Sequence, residues 1–136
     1  MKGILGKVPC YVYFISDVCG HIKIGVTCDI TKRLHQLQTS SPSKLQLVAY
    51  IYDENRNARD IERFLHYKFR NRNTSGEWFD EDEILDYIQA GTIKINSNIY
   101  EVKYNMRIGV NRIARAVNRT EKNIFALCTS LRSCYE

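Results

Sequence analysis

The stretch CYVYFISDVCGHIKIGVTCDITKRLHQL, residues 10–37, decides the fold. Its first part, 10–16, is aromatic and β-branched, the composition that suits a pleated, half-buried strand. Asp17 to Gly20 is turn chemistry. Residues 21–27 then alternate apolar with polar side chains and read as the antiparallel partner of the first strand. Asp29 stands at the N-cap of a helix running to about Thr39, with Ile30, Leu34 and Leu37 as its apolar stripe. A hairpin followed at once by an amphipathic helix points to an α+β domain.

Outward from this segment, Ser40-Ser41-Pro42-Ser43 stops the helix, and 45–52 (LQLVAYIY) reads as a third strand. Asn55 or Asn57 opens a second helix to about Arg70, with Ile61, Phe64, Leu65, Lys68 and Phe69 at helical spacing. Asn71 to Gly76 reads as a loop, and Trp78-Phe79 as a short apolar landing that closes the core. Asp80 caps an acidic helix over 81–90, ended by Gly91. Residues 92–95 and 99–104 form a hairpin around Asn96-Ser97-Asn98. The expected architecture is a small antiparallel sheet of about three strands flanked by helices over 8–90. A hairpin and a helical pair follow over 91–136.

Composition bounds the function. The chain has 136 residues, 44% apolar and 26% charged, a globular balance. No apolar run approaches the ~20 residues of a membrane span. The first 14 residues are too weakly apolar for a signal peptide, so an intracellular, cytoplasmic protein is expected. The five cysteines are odd in number and show no C-x-x-C spacing, a poor fit to a secreted disulfide scaffold. Cys10, Cys19, His21 and Cys28 match no common zinc pattern, and the cysteines read as buried or idle thiols in a reducing compartment. The net charge of +5 is uneven: residues 100–136 carry seven basic and three acidic residues, and 23–73 carry ten and five. Six acids and no base fall between Glu77 and Asp86. Clustered positive charge is what a phosphate-binding surface needs, although solvated helix faces produce it too.

The chemistry-bearing residues come in a fixed order: Tyr11-Val12-Tyr13, Lys23-Ile24-Gly25, Asp29-x-x-Lys32-Arg33-Leu34, Ile61-Glu62-x-x-Leu65-His66, and Gly76-Glu77-Trp78-Phe79. This order resembles the GIY-YIG nuclease superfamily. More narrowly it resembles the phage- and virus-rich branch whose second tripeptide is K-I-G and whose domain closes on G-E-W-F. The resemblance spans about residues 10–80. It implies a DNA phosphodiesterase holding one divalent cation, Mg²⁺ (or Mn²⁺), on a glutamate. It puts Tyr13 on the tyrosine that takes a proton from the attacking water, and Lys23 where a second tyrosine usually stands. It puts Arg33 on the phosphate-stabilising arginine and Glu62 on the metal ligand. The family commonly carries an asparagine near the closing motif, for which Asn71 and Asn73 are the nearest candidates; Glu77 falls at the site edge.

Elementary chemistry is consistent with those roles. Phosphodiester cleavage needs a deprotonated nucleophile and charge compensation on the phosphate oxygens. Mg²⁺ keeps several waters, so a single carboxylate suffices. A guanidinium fork suits phosphate. A tyrosine, with a free pKa of ~10, needs a nearby cation to act as base; Lys23 on the paired strand is one such cation, or a direct phosphate ligand. Tyr11 shares the strand face of Tyr13 and is a further catalytic candidate. His66, one turn after Glu62, is positioned either to order the metal's water or contact a phosphate, or to pack beside Trp78. Each residue also has an ordinary reading: core or surface aromatics, solvated basic side chains, and a Glu62 paired with Arg59, Arg63 or His66 on its own helix.

The C-terminal stretch around Arg112, Arg115, Arg119 and Lys122 resembles a helix-turn-helix unit, or alternatively a helical pair packed on the core or in a dimer contact. In either form its charge favours DNA through phosphate neutralisation. The expected function is therefore a divalent-metal-dependent DNA endonuclease, monomeric or homodimeric. The alternatives are an inactive nucleic-acid-binding protein of the same fold, or a phage or viral protein that blocks a host complex.

Overall fold

A computed structural model describes residues 8–105. The expected C-terminal helices, with Arg112, Arg115, Arg119 and Lys122, lie outside the described residues. Strand β1 (Tyr11–Ser16) pairs antiparallel with β2 (His21–Thr27) and, on its other edge, with β3 (Gln46–Tyr52). These are the three expected strands, and β1 is central because its apolar run is buried on both faces. The hairpin turn is braced by Asp17, whose carboxylate accepts from the backbone N–H of Cys19 and His21 and meets the His21 ring.

The sheet is wider than the three strands expected. A short strand β4 (Asn73–Ser75) and β5 (Trp78–Asp80) add beyond β2. At the other edge the two-residue β8 (Lys103–Tyr104) pairs with β3. The order is β4-β5-β2-β1-β3-β8, antiparallel throughout. Residues 71–76, expected as a loop, are a 3-10 turn (Arg70–Arg72) running into β4. Their polar sequence hides the strand because it lies exposed at the sheet's end. The expected hairpin is present as a two-stranded sheet, β6 (Thr92–Ile95) and β7 (Asn98–Glu101), with Asn96 at positive φ, but its second arm is shorter than the expected 99–104, because Lys103–Tyr104 pairs with β3. The compact unit containing β1 runs through Tyr104.

Helix α1 (Ile30–Thr39) opens on Asp29, whose carboxylate accepts from the Lys32 backbone N–H at 3.1 Å. Leu34 and Leu37 rest on Tyr13, Ile15 and Leu45, so α1 covers the sheet face of Tyr13 and Ile15. No residue of α1 is fully buried. Helix α2 (Ala58–Lys68) covers the opposite face. Its His66 ring stacks edge-on against Phe79, and Phe79 lies directly across from Ile22, on the face shared by Phe14 and Ile24. The start of α2 is fixed by Asp53, a buried carboxylate that accepts from the backbone N–H of Asn55 and Asn57. Helix α3 (Asp82–Ile88) buries Ile84, Leu85 and Ile88. Its cap position is Glu81 rather than the expected Asp80, which pairs with His21 as the last residue of β5. No helix among the described residues is long and apolar enough to cross a membrane.

Candidate active site

The site starts from one cross-strand pair. Tyr13 on β1 stands directly opposite Gly25 on β2, so the two share a face. The tyrosine ring lies over the glycine: a Cβ at position 25 would collide with the phenol oxygen. The backbone of Gly25 needs no special φ, so the glycine is there for space alone. Arg33, four residues beyond the Asp29 cap, reaches the same point. Its Nε donates to the phenol oxygen at 3.4 Å, a long hydrogen bond.

Tyr13 is 1% exposed, and burial raises its phenol pKa above the ordinary tyrosine value. The hydrogen bond and charge of Arg33 pull it down; the carboxylates of Glu77 and Glu62 push it up. The cation at the phenol is therefore Arg33. Lys23, read from sequence either as a cation for the phenol or as a phosphate ligand, lies two residues along β2 from Gly25, opposite Ile15 and Trp78. Its Nζ sits 3.1 Å from the Glu77 carboxylate and 5.6 Å from the centre of the Trp78 ring. Strand register sets this position: a side chain facing Ile15 is one pleat away from Tyr13.

Glu77 reaches this place through the β4–β5 turn. Its carbonyl accepts from the Ile24 backbone N–H at 3.1 Å, extending the β5–β2 ladder. The Asn73 amide donates to the carbonyls of Gly76 and Trp78, on either side of Glu77, at 2.8 and 3.1 Å. Of the two asparagines considered from sequence, Asn73 is the one that touches the closing motif, and it does so as a brace for the turn.

Glu62 comes from α2. Its side chain is 17% exposed, and its pKa is raised, first by burial and then by the charge of Glu77. His66, Arg59 and Arg63 act in the opposite direction. The nearest ion-pair partner is His66, with Nε2 at 3.8 Å. That nitrogen lies 2.9 Å from the Ile24 carbonyl. A carbonyl only accepts, so Nε2 carries the proton, and in the neutral ring Nδ1 is left as the acceptor. His66 thus ties α2 to β2 and packs on Phe79 rather than on Trp78.

Tyr13, Arg33, Lys23, Glu62, Glu77 and His66 are therefore linked by contact or by charge across β1, β2, α1, α2 and the β4–β5 turn. Tyr11, two residues before Tyr13 on β1, makes its ring contacts on β3. Its ring lies 5.8 Å from Tyr50 and 5.2 Å from Tyr52 on β3, in a cluster of three tyrosines. Sequence reasoning placed Glu77 only at the edge. Its partnership with Lys23 follows from the β5–β2 register, which no local pattern announces.

The donor set bears on what ion fits. Among the described residues no three His, Cys, Asp or Glu side chains gather, and Cys10, Cys19, His21 and Cys28 do not come together. What exists is one partly buried carboxylate, Glu62, whose charge is opposed by a second, Glu77, itself engaged by Lys23. Bringing a cation to Glu62 relieves both its desolvation and that repulsion. An oxygen-only site with one protein carboxylate suits Mg²⁺, which dehydrates reluctantly and keeps its waters.

A search of curated proteins and a search of solved structures returned no match. Residues 10–95 match the family described as T5orf172 domain. That span takes in β1 through β6 and every member of the linked group, and the chain belongs to the T5orf172 domain family, a domain found in phage-related, endonuclease-type proteins.

Proposed function

We propose that this domain is a divalent-metal-dependent endonuclease of the GIY-YIG type that hydrolyses DNA phosphodiester bonds. The observation that carries the reading is the meeting of Arg33 with the Tyr13 phenol over Gly25, beside the Lys23–Glu77 pair, with the partly buried Glu62 on α2 feeling the charge of Glu77. Membership of a family associated with phage-related endonucleases supports it.

In this mechanism a water attacks phosphorus, a new P–O bond forms, and the bond to one sugar oxygen breaks. Tyr13 takes the water's proton as phenolate. Arg33, already on the phenol oxygen, favours that phenolate and donates to a phosphate oxygen. Lys23 leaves Glu77 to neutralise a second phosphate oxygen when the substrate arrives. Glu62 would hold the cation, which when bound would supply charge compensation to the phosphate, and the departing sugar oxygen takes a proton from solvent. His66 orients the α2 end of the group through its bond to the Ile24 carbonyl.

The test is nicking of supercoiled plasmid with Mg²⁺. The wild type converts plasmid to open circle, and Glu62→Gln and Arg33→Ala lose at least about 100-fold in rate, the order of a lost transition-state donor. A wild type with no cleavage on any DNA overturns the reading. Salt-sensitive DNA binding without cleavage would instead identify a binding protein of the same fold, a reading favoured by one observation, the capture of Lys23 by Glu77.

A further inference from the structure

Helix α2 carries a second feature that the cleavage chemistry does not use. Arg59, Arg63 and Tyr67 recur at i, i+4 and i+8, so they form one row along the helix. The row lies on the side away from the buried Ala58, Ile61 and Leu65. Arg70, just past the helix end, continues it. Its guanidinium stacks 4.0 Å over the Tyr67 ring, and its Nη1 donates to the Tyr67 carbonyl at 2.8 Å.

Tyr67 is 66% exposed, so packing in the core does not account for it. Arg63 pairs with Asp60 at 2.9 Å, but both side chains are about 70% exposed, at 73% and 69%. Such a pair in water is weak and exchanges readily for a phosphate. Arg59 makes no salt bridge among the described residues. The row also begins at the candidate site: Arg59 and Arg63 are both close enough to Glu62 to act on its charge. From Arg59 to Tyr67 the helix rises about 12 Å, the length of roughly three stacked nucleotides.

Guanidiniums at phosphate-scale spacing, interrupted by a largely exposed aromatic ring that already stacks one guanidinium, match a strand with at least one unstacked base. We propose that this row of α2 is a nucleic-acid track. Arg59, Arg63 and Arg70 take successive phosphates of the strand leaving the cleavage centre, and Tyr67 stacks an unpaired base. The direction of the strand rests on the nuclease reading above. The substrate class that follows is DNA with a single-stranded or flipped nucleotide beside the cut phosphate.

The test uses the full chain in EDTA, so that binding is read without cleavage. Fluorescence anisotropy with a labelled single-stranded oligonucleotide gives Kd and its salt dependence. Base stacking is read from quenching of 2-aminopurine placed in the strand. Tyr67→Ala is expected to weaken single-strand binding about tenfold and to abolish the quenching, while Tyr67→Phe retains both. The triple variant Arg59→Ala, Arg63→Ala, Arg70→Ala is expected to flatten the log Kd against log salt slope by about two units. Circular dichroism should show all three variants folded, since these side chains are exposed. Wild-type Kd, slope and quenching in Tyr67→Ala and in the triple variant would overturn the track, and that outcome is also the one expected if the row meets an acidic protein. Loss of binding in the row variants with no Mg²⁺-dependent nicking by wild type leaves the track standing and sinks the nuclease reading. Intact binding in the row variants alongside nicking does the reverse.

Discussion

Gly25 and Glu62 show most directly how single residues set the site. Because a Cβ at position 25 would meet the Tyr13 phenol oxygen, Gly25→Ala must push the ring off its place between Arg33 and β2. Overpacking of this kind costs about 1–3 kcal/mol. Urea unfolding should register that loss, and cleavage should fall further than stability because the phenol leaves Arg33. For Glu62 the sign follows from its raised pKa. Between the ordinary carboxylate value and the raised one, the folded chain holds a proton that the unfolded chain has released. Stability therefore falls as pH rises through that window. Glu62→Gln should remove this loss, giving a protein at least as stable as wild type at neutral pH but inactive; pH-dependent urea melts and plasmid nicking together check it. Tyr13 titrates high for the same physical reason, burial, so the cleavage rate should climb with pH through the neutral range toward the alkaline side.

Among the elements, α1 is held by its cap more than by its core. It has no fully buried residue, yet it delivers Arg33. Asp29→Ala removes the acceptor for the Lys32 N–H, which should cost about 1 kcal/mol and lower the cleavage rate through a loosened Arg33. Thermal melts and nicking rates on the same preparation read both effects. The strands β1 to β3 and helices α1 and α2 were legible because each carries its own periodicity, two for strands and 3.6 for helices. Strand β4 and the pairing of β5 were not. Asn73 to Ser75 is exposed and polar, and Trp78 to Asp80 is too short to show a period. β5 is a strand only because β2 offers it an edge, and β4 only because β5 does. The site divides the same way. Tyr13, Arg33, Glu62 and His66 were visible as residue types at a recognisable spacing. The capture of Lys23 by Glu77, and the arrival of Arg33 at the phenol in its place, depend on register and on a turn braced by Asn73.

At the scale of the whole molecule, the six-stranded sheet carries α1 on one face and α2 on the other. Ion binding to such a fold couples to its global stability. A cation that binds the folded chain at Glu62 and not the unfolded one must raise Tm. The rise should be larger at neutral pH than near pH 4, where protons compete for the carboxylate, and it should vanish in Glu62→Gln. The most direct measurement is a crystal soaked in Mn²⁺, with anomalous scattering used to find the ion. The account predicts one peak in contact with the Glu62 carboxylate, on the side facing Tyr13 and Arg33. A soaked crystal with no peak there, and with Glu62 turned onto His66 instead, would contradict it.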